Sequence, residues 1–338
     1  MGMMGNDIHP RTRRLLNGLL LALVVAASMF WFWAYLAGSA LSPDRPQLFS
    51  DATRYLAAAE RLSAGHDLYA LAPGDRPVLT IPGVAEAPLL SPPPIAVAWL
   101  LVAAVPFGYV AWIVGGWFAT FGLIAVLVLR SPLPAVPIAF ALSLPIGEAV
   151  FGANAVVFYP LFYVLTWRYR EHTWIGWLIA IMAVIKLAPI ALGAWLLATR
   201  RYRALVVTAA GLVVLFGIAG LVAGFDSYIQ CVEVLRSVGI SPISVSGITG
   251  ISWASYAVFG VGAAIAIGVG RRSDSGSYIA ALLASVLGNP ALYPGHLASL
   301  LALVAPFAFP ASTEDRTADM PPSPVVVDPP LKTVAESQ

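Results

Sequence analysis

Long apolar runs, separated by short polar or proline-containing breaks, occupy most of the 338-residue chain. The first run covers residues 15–37, and its 23 residues would form a helix of roughly 35 Å, which is long enough to cross a bilayer. Further runs cover residues 92–107, 109–129, 132–149, 153–167, 174–198, 204–224, 248–270, 277–288 and 291–310. The pattern therefore predicts an all-α polytopic membrane protein with about ten transmembrane helices, in a range of about eight to twelve.

Composition and charge narrow the class of protein further. Hydrophobic residues make up 59% of the chain and charged residues 11%, whereas soluble domains average about 45–50% and about 25%. A net charge of +2 provides no basic surface of the kind that binds nucleic acid. Cys231 is the single cysteine, so the chain forms neither an intrachain disulfide nor a zinc cluster. The partner that this composition implies is a lipid bilayer.

Arginine clusters predict the orientation of the chain, because cytoplasmic loops carry excess positive charge. The clusters stand at residues 11–14, 200–203 and 271–272. Their assignment to the cytoplasm makes residues 1–14 a cytoplasmic N-terminus and residues 38–87 the first extracytoplasmic loop. Residues 15–310 then form one transmembrane domain, and the Pro-rich tail of residues 311–338 is predicted to be disordered.

Three further arginines conflict with this orientation. Simple alternation of the predicted spans places Arg130, Arg168 and Arg170 on the outer side of the membrane. A re-entrant hairpin among the shorter apolar segments would remove the conflict, but the sequence does not identify the segment.

The first extracytoplasmic loop contains a predicted amphipathic helix. Ser50 is a candidate N-cap and Gly65 a candidate helix stop. Between them, apolar residues recur at helical spacing, which predicts a helix on the outer membrane surface. Asp51 falls in its first turn, where an acid either complements the helix dipole or, at the membrane–water boundary, acts as a general base.

Lys186 lies inside the apolar run of residues 174–198. An ionisable residue there costs at least a few kcal/mol, which favours a functional role. The functional interpretation is a cation that binds the phosphate of an anionic lipid headgroup. The alternative is a lysine that snorkels from a helix end or pairs with Glu148.

Weaker candidates stand near the ends of other runs. Asn154 and Asn289 place amides there, where capping is the alternative, and His296 lies in the last apolar run, where packing is the alternative. The chain has no Walker A loop, GxGxxG fingerprint or HExxH motif, which argues against a nucleotide-driven pump.

Seven short motifs follow one another along the chain. They are Asp51-Ala52-Thr53-Arg54-Tyr55, Gly65-His66-Asp67-Leu68-Tyr69, Ser91-Pro92-Pro93, Gly152-Ala153-Asn154, Ile185-Lys186-Leu187-Ala188-Pro189, Arg200-Arg201-Tyr202-Arg203, and Pro290 through His296. In this order they resemble the polyprenol-phosphate-mannose-dependent mannosyltransferases, glycosyltransferase family 87, within the integral-membrane GT-C superfamily. The resemblance covers roughly residues 15–310, with Ser91 where the family has Tyr and Ala153 where it has Gln.

The resemblance implies a GT-C fold and sugar transfer on the outer face of the plasma membrane. The donor would be polyprenyl-phosphate mannose, and the acceptor a hydroxyl of a cell-envelope glycolipid or glycan, with inversion to an α-linkage. It implies that Asp51 and His296 are catalytic, that Lys186, Arg54 and Arg61 bind the donor phosphate, and that Tyr55, His66, Tyr69, Asn154 and Asn289 bind substrate. No cofactor is expected; the superfamily admits a divalent metal, but the sequence holds no cluster of metal ligands.

Three alternatives stay open at this point. A polyprenyl-phosphate arabinofuranose donor would present the same phosphate to Lys186. A membrane transporter or lipid flippase would also explain an intramembrane lysine, although the chain shows no clear internal repeat. An inactive relative that serves as a partner is the third.

Overall fold

The computed structural model describes residues 10–41, 48–69, 79–81, 84–87, 89–238 and 240–310. Its α-helices are α1 (Pro10–Leu41), α2 (Ser50–Ser63), α3 (Pro93–Ala104), α4 (Gly108–Arg130), α5 (Pro132–Ala141), α6 (Ser143–Gly152), α7 (Tyr159–Arg168), α8 (Ile175–Ile185), α9 (Leu192–Ala198), α10 (Tyr202–Ala223), α11 (Asp226–Val238), α12 (Val245–Thr249), α13 (Ala254–Gly270), α14 (Asp274–Leu287) and α15 (Ala305–Ala308). Further 3₁₀ helices cover Ala155–Phe158, Ala188–Ala191 and Pro294–Val304. Strands β1 (Leu79–Ile81) and β2 (Val84–Ala87) pair antiparallel, with Leu79 opposite Ala87. The predicted N-terminal residues before residue 10 and the predicted tail of residues 311–338 lie outside the described residues.

Membrane-spanning character is clear for part of the bundle. Within the described ranges, three helices are long and apolar enough to cross a bilayer, namely Leu15–Leu41, Gly108–Arg130 and Tyr202–Ala223. The α5–α6 pair passes the same test but bends by 63°, so it is either one broken span or a re-entrant loop. The other apolar runs form shorter helices of 10–17 residues. The predicted helical membrane protein is confirmed, and the count of about ten spans stays a prediction.

The predicted amphipathic helix is present as α2. It buries one face, including Ala52, Tyr55 and Ala59, and the Tyr55 ring lies 5.7 Å from the ring of Trp99 on α3. The predicted N-cap is wrong by one residue, because Phe49 occupies the cap position in a left-handed conformation with φ of 55°. Its backbone N–H donates to the carbonyl of Phe151, so a tertiary contact rather than a Ser50 side chain sets the start of the helix.

Several helices end together at one end of the molecule, which we call the arginine end. The guanidinium of Arg130, at the end of α4, lies 4.7 Å from the ring centre of Phe309, and that of Arg168, at the end of α7, lies 5.6 Å from it. Arg201, which precedes α10, donates to Asp274 at the start of α14 at 2.8 Å. Arg170, two residues after Arg168, pairs with the same Asp274, so the basic segment of residues 200–203 shares an end with Arg130 and Arg168.

Helix α3 explains why simple alternation of the predicted spans placed Arg130 and Arg168 on the outer side of the membrane. Its 12 residues span only about 18 Å. Before it, Ser91 accepts a hydrogen bond from Tyr69 at 2.5 Å; after it, Tyr109 at the start of α4 shares a hydrogen bond with Thr53 of α2 at 3.0 Å. Both ends of α3 thus lie beside α2, and α3 does not cross to the arginine end. The segment predicted as a span over residues 92–107 is therefore the one that breaks the alternation.

Candidate functional site

Asp51 is fixed at the start of α2 by two hydrogen bonds to its two carboxylate oxygens. Arg54 donates from Nη1 to Oδ1 at 2.7 Å, and Asn154 donates from Nδ2 to Oδ2 at 2.9 Å. The side chain of Asp51 remains 26% exposed. The carboxylate is therefore oriented by its neighbours while it stays open on one side.

The Gly152-Ala153-Asn154 segment connects α6 to the following 3₁₀ helix and packs against Asp51. A Cβ added at Gly152 would lie 3.2 Å from Asp51 Oδ2, so glycine is the residue that allows this approach. Asn154 has a second task, because its Oδ1 accepts from the backbone N–H of Val156 at 3.1 Å and caps the following 3₁₀ helix. One amide side chain thus orients the carboxylate and starts the next helix.

Lys186 stands where α8 breaks. The helix ends at Ile185 because Pro189 would clash with the carbonyl of Ile185 if the helix continued, and Lys186 takes an extended conformation with φ of −144°. Its ammonium interacts electrostatically with Asp51 and with Cys231 of α11. Among the described residues, no side chain forms an ion pair or hydrogen bond with this ammonium, and the alternative pairing with Glu148 does not occur.

Lys186 also lines a small cavity of about 20 Å³, close to the volume that one water molecule occupies. Asn289 and His296 lie on the wall of the same cavity. Asn289 turns its Oδ1 to the backbone N–H of Ala291 at 3.0 Å, and His296 accepts the backbone N–H of Tyr293 on Nδ1 at 3.3 Å. The structure therefore brings the predicted histidine and asparagine to the predicted lysine.

Four other predicted residues lie elsewhere in the loop. Arg61 donates to the backbone carbonyl of Asp67 at 2.5 Å, and His66 is exposed after the end of α2. Tyr55 is buried against Trp99, and Tyr69 is buried with its hydroxyl on Ser91. Burial raises the pKa of both tyrosines above the ordinary value, so both stay neutral. These contacts hold α2 and its following turn against α3, and the predicted roles in phosphate and substrate binding stay predictions.

Two side chains of the site were not singled out as site residues. Glu148 on α6, considered only as a partner for Lys186, is packed against Gly295, and its Oε2 is buried without a hydrogen-bond partner in the described structure. Cys231 on α11 lies beside Tyr69 and Lys186, and burial raises the pKa of its thiol, which therefore stays protonated. Glu148 could have been singled out from the sequence, because it is an acid inside an apolar run. Cys231 could not, because the sequence around it in α11 is polar and shows no site pattern.

The carboxylates and histidines of the site are spread apart. Over the part of the chain that the structure describes, no three His, Cys, Asp or Glu side chains converge as metal ligands. Chemically, the site offers a carboxylate held by two hydrogen bonds and an ammonium that interacts electrostatically with it and forms no ion pair with a described side chain.

A carboxylate held by hydrogen bonds and a lysine without an ion-pair partner among the described residues lie within this bundle of apolar helices, which defines a membrane protein with a polar site. The sequence pattern of glycosyltransferase family 87 matches residues 90–317, roughly two thirds of the chain, and the chain belongs to this family. The protein is therefore a glycosyltransferase. Asn154, Lys186 and His296 fall inside the matched range, and Asp51 precedes it. No curated protein and no solved structure matches the chain.

Proposed function

We propose that this protein transfers mannose from a polyprenyl-phosphate donor to a hydroxyl of a cell-envelope glycolipid or glycan, with inversion to an α-linkage. The observations that carry the proposal are the Asp51 carboxylate, which Arg54 and Asn154 hold, and the Lys186 ammonium, which interacts electrostatically with Asp51 and forms no ion pair with a described side chain. A base and a phosphate-binding cation are what this transfer needs. Family membership supports the reaction class.

In the proposed reaction Asp51 is the general base. The acceptor oxygen attacks the anomeric carbon of the donor sugar and forms the new C–O bond, while Asp51 takes the proton of the acceptor hydroxyl. The bond between the anomeric carbon and the phosphate oxygen breaks, and its electron pair leaves with the polyprenyl phosphate. Because this is one displacement, the configuration inverts. Arg54 and Asn154 hold the carboxylate so that it points at the hydroxyl.

Lys186 stabilises the leaving phosphate in this reaction. Negative charge grows on the phosphate as its bond to the sugar breaks, and a fixed cation in an apolar setting stabilises that charge. Asn289 and His296 line the same small cavity as Lys186, so they belong to the same polar cluster as the proposed phosphate-binding cation. All of these steps are carried by side chains of the chain, and no cofactor is invoked.

The proposed location is the outer face of the plasma membrane. The arginine end lies opposite α2 and Asp51, because α4 runs from Tyr109 beside α2 to Arg130 beside Phe309. Positive charge favours the cytoplasmic side, so the site end faces outward. A donor that is itself a lipid reaches such a site from within the membrane.

The test is transfer of radiolabelled mannose from polyprenyl-phosphate mannose to a crude envelope glycolipid extract, with membranes that carry the protein. We expect incorporation with the wild type, none with Asp51→Asn, and wild-type incorporation with Asp226→Asn, an exposed acid at the start of α11. For Lys186→Gln we expect a raised donor KM, and for Lys186→Arg a smaller rise.

Each result has a defined consequence. Wild-type turnover by a folded Asp51→Asn variant would remove Asp51 as the base, and an unchanged donor KM in Lys186→Gln would remove Lys186 from the phosphate site. Well-expressed wild type that transfers arabinofuranose but not mannose would correct the sugar. Failure with both donors would overturn the proposal in favour of a transporter or an inactive partner.

A further inference from the structure

The small cavity beside Lys186 is lined mainly by groups that can donate hydrogen bonds. Its polar lining residues are Tyr159, Tyr163, Lys186, Ser285, Asn289, His296 and Ser299. No acid is among the described residues on its wall, and Glu148 packs against Gly295 instead, one residue before His296. The charge of Lys186 is therefore not neutralised inside the cavity, which suits a group that only accepts hydrogen bonds.

His296 lines this cavity in one defined tautomer. The backbone N–H of Tyr293 donates to Nδ1 of the imidazole at 3.3 Å. Because a backbone amide can only donate, Nδ1 carries the lone pair, the imidazole is neutral and its proton lies on Nε2. No described group forms a hydrogen bond with Nε2. The buried histidine therefore offers an N–H donor to the cavity that it lines.

Asn289 is oriented in a similar way, by a contact with the backbone. Its Oδ1 accepts from the backbone N–H of Ala291 at 3.0 Å, so the NH₂ group is the part of the amide that is not engaged with the described protein. Lys186 adds the three N–H donors of an ammonium that forms no ion pair or hydrogen bond with a described side chain. Two neutral donor groups and one cation are thus available on the wall of one cavity.

Most hydroxyls on the same wall are engaged with the protein. Tyr159 donates to the carbonyl of Met182 at 2.6 Å, and Tyr163 shares a hydrogen bond with Ser285 at 2.6 Å. Ser299 adds one further hydroxyl, which can donate as well as accept. These hydroxyls therefore do not change the balance of the cavity, in which donors predominate.

The size and the surroundings of the cavity fit a phosphate that is attached to a lipid. Its volume of about 20 Å³ has room for a single oxygen atom. Lys186 is partly exposed, so the remainder of a larger group can stay outside the cavity. Leu187 and Ile190, which follow it on the chain, are 60% and 43% exposed. An apolar chain attached to the phosphate would cover them, which a free phosphate ion would not.

We propose that Asn289 and His296 donate hydrogen bonds to one phosphate oxygen of the lipid donor, beside Lys186, and that His296 is not a base. This inference rests on the proposed function. Hydrogen bonds from N–H groups to an ionised phosphate oxygen are stronger than those between neutral groups. In this tautomer His296 cannot take the proton of the acceptor, because Nδ1 is engaged by Tyr293 and Nε2 already carries a proton. The base is then Asp51, and the two donors act on the leaving phosphate as negative charge grows on it.

The first test measures phosphate binding without any transfer. The probe is a polyprenyl phosphate that carries no sugar, titrated against thermal unfolding of the purified protein in detergent, with the matching polyprenol and inorganic phosphate alongside it. Asn289→Asp keeps the Oδ1 contact to Ala291 and replaces the two N–H donors by an acceptor oxygen. We expect this variant to raise the apparent Kd for polyprenyl phosphate at least about tenfold, and to leave the weaker effect of the polyprenol unchanged.

Histidine variants separate a hydrogen-bond donor from a base. His296→Gln can place an amide N–H near the position of Nε2 but cannot take a proton, whereas His296→Leu provides neither function. We expect His296→Gln to keep the Kd within about threefold and kcat within about fivefold of the wild type. For His296→Leu we expect the Kd and the donor KM to rise at least about tenfold. The matched controls are His172→Gln and His172→Leu, at an exposed histidine beside Tyr169, and both should match the wild type.

Each outcome decides one point. A kcat about a hundredfold lower for folded His296→Gln, with an unchanged Kd for polyprenyl phosphate, would make His296 a base and overturn the inference. An unchanged Kd in folded Asn289→Asp and His296→Leu would also overturn it, and both results would leave the proposed reaction intact. Inorganic phosphate that binds as tightly as polyprenyl phosphate would overturn the assignment to a lipid. A wild type that binds polyprenyl phosphate through these residues, but transfers no sugar from any polyprenyl-phosphate donor, would overturn the proposed function and keep the phosphate site.

Discussion

Asn154 allows the link between local structure and the candidate base to be tested with two variants. Its Oδ1 caps the 3₁₀ helix at Val156, and its Nδ2 holds Asp51. Asn154→Ala removes both contacts. Asn154→Ser keeps a capping oxygen but is too short to reach Asp51, so it removes only the second contact. The pair of variants therefore separates folding from orientation of the carboxylate.

The two contacts have different expected magnitudes. An N-cap contributes about 1 kcal/mol to stability, so Asn154→Ala should unfold at a lower temperature than Asn154→Ser, by about 2 °C in a chain of this size. A hydrogen bond to a charged group contributes about 1.5–3 kcal/mol, and the 26% exposure of the Asp51 side chain favours the lower figure. A loss of about 1.5 kcal/mol in the transition state corresponds to roughly a tenfold slower transfer in both variants.

The assay combines thermal unfolding in detergent with the mannose transfer rate. Equal slowing of transfer by both variants, with a lower melting temperature for Asn154→Ala alone, is the expected pattern. Transfer at the wild-type rate by Asn154→Ser would refute the argument that Asn154 orients Asp51. Equal melting temperatures for the two variants would refute the capping argument.

Two further predictions concern the arginine end and the topology. Asp274→Asn should lower the free energy of unfolding by about 1–2 kcal/mol, since Asp274 is one third exposed but forms ion pairs with Arg170 and Arg201 and accepts a hydrogen bond from Trp195. The exposed control Asp226→Asn should change it by about 0.5 kcal/mol or less, and thermal unfolding measures both. Single cysteines at Arg168 and Arg203 should react with an impermeant thiol reagent from one face of the membrane and a cysteine at Ser63 from the other. Labelling of Arg168→Cys and Arg203→Cys from opposite faces would contradict the shared arginine end.

The helices of the bundle could be predicted from the sequence because a backbone in lipid must satisfy its own hydrogen bonds. Apolar runs therefore predict helices directly, including those that a bend or a break divides into shorter helices. Helix α3 could not be distinguished from a span, since its run is apolar throughout and only the contacts on either side of it show that it turns back. Helix α11 and the β1–β2 pair were missed because their sequences are short or polar and are shaped by contacts with the rest of the fold.

The candidate site could be predicted in part. Asp51 and Lys186 stood out individually, as an acid at a helix start and as a charge in an apolar run. The surroundings of Asp51 could not be inferred from composition, because they depend on how α2 docks on the turn after α6. The alternative pairing of Lys186 with Glu148 could not be decided from the sequence, because spacing along the chain does not say which distant charges meet; among the described residues this pair does not form.

The contrast between the two ends of the bundle supports the assignment of function. At the arginine end, Arg170 and Arg201 both form ion pairs with Asp274 and with Glu171. These charges neutralise each other and connect the helices. At the site end, the Lys186 ammonium forms no ion pair or hydrogen bond with any described side chain, and Glu148 Oε2 has no hydrogen-bond partner in the described structure. An unpaired cation in an apolar setting destabilises the protein without substrate, and the phosphate of the proposed donor would provide the missing partner of Lys186.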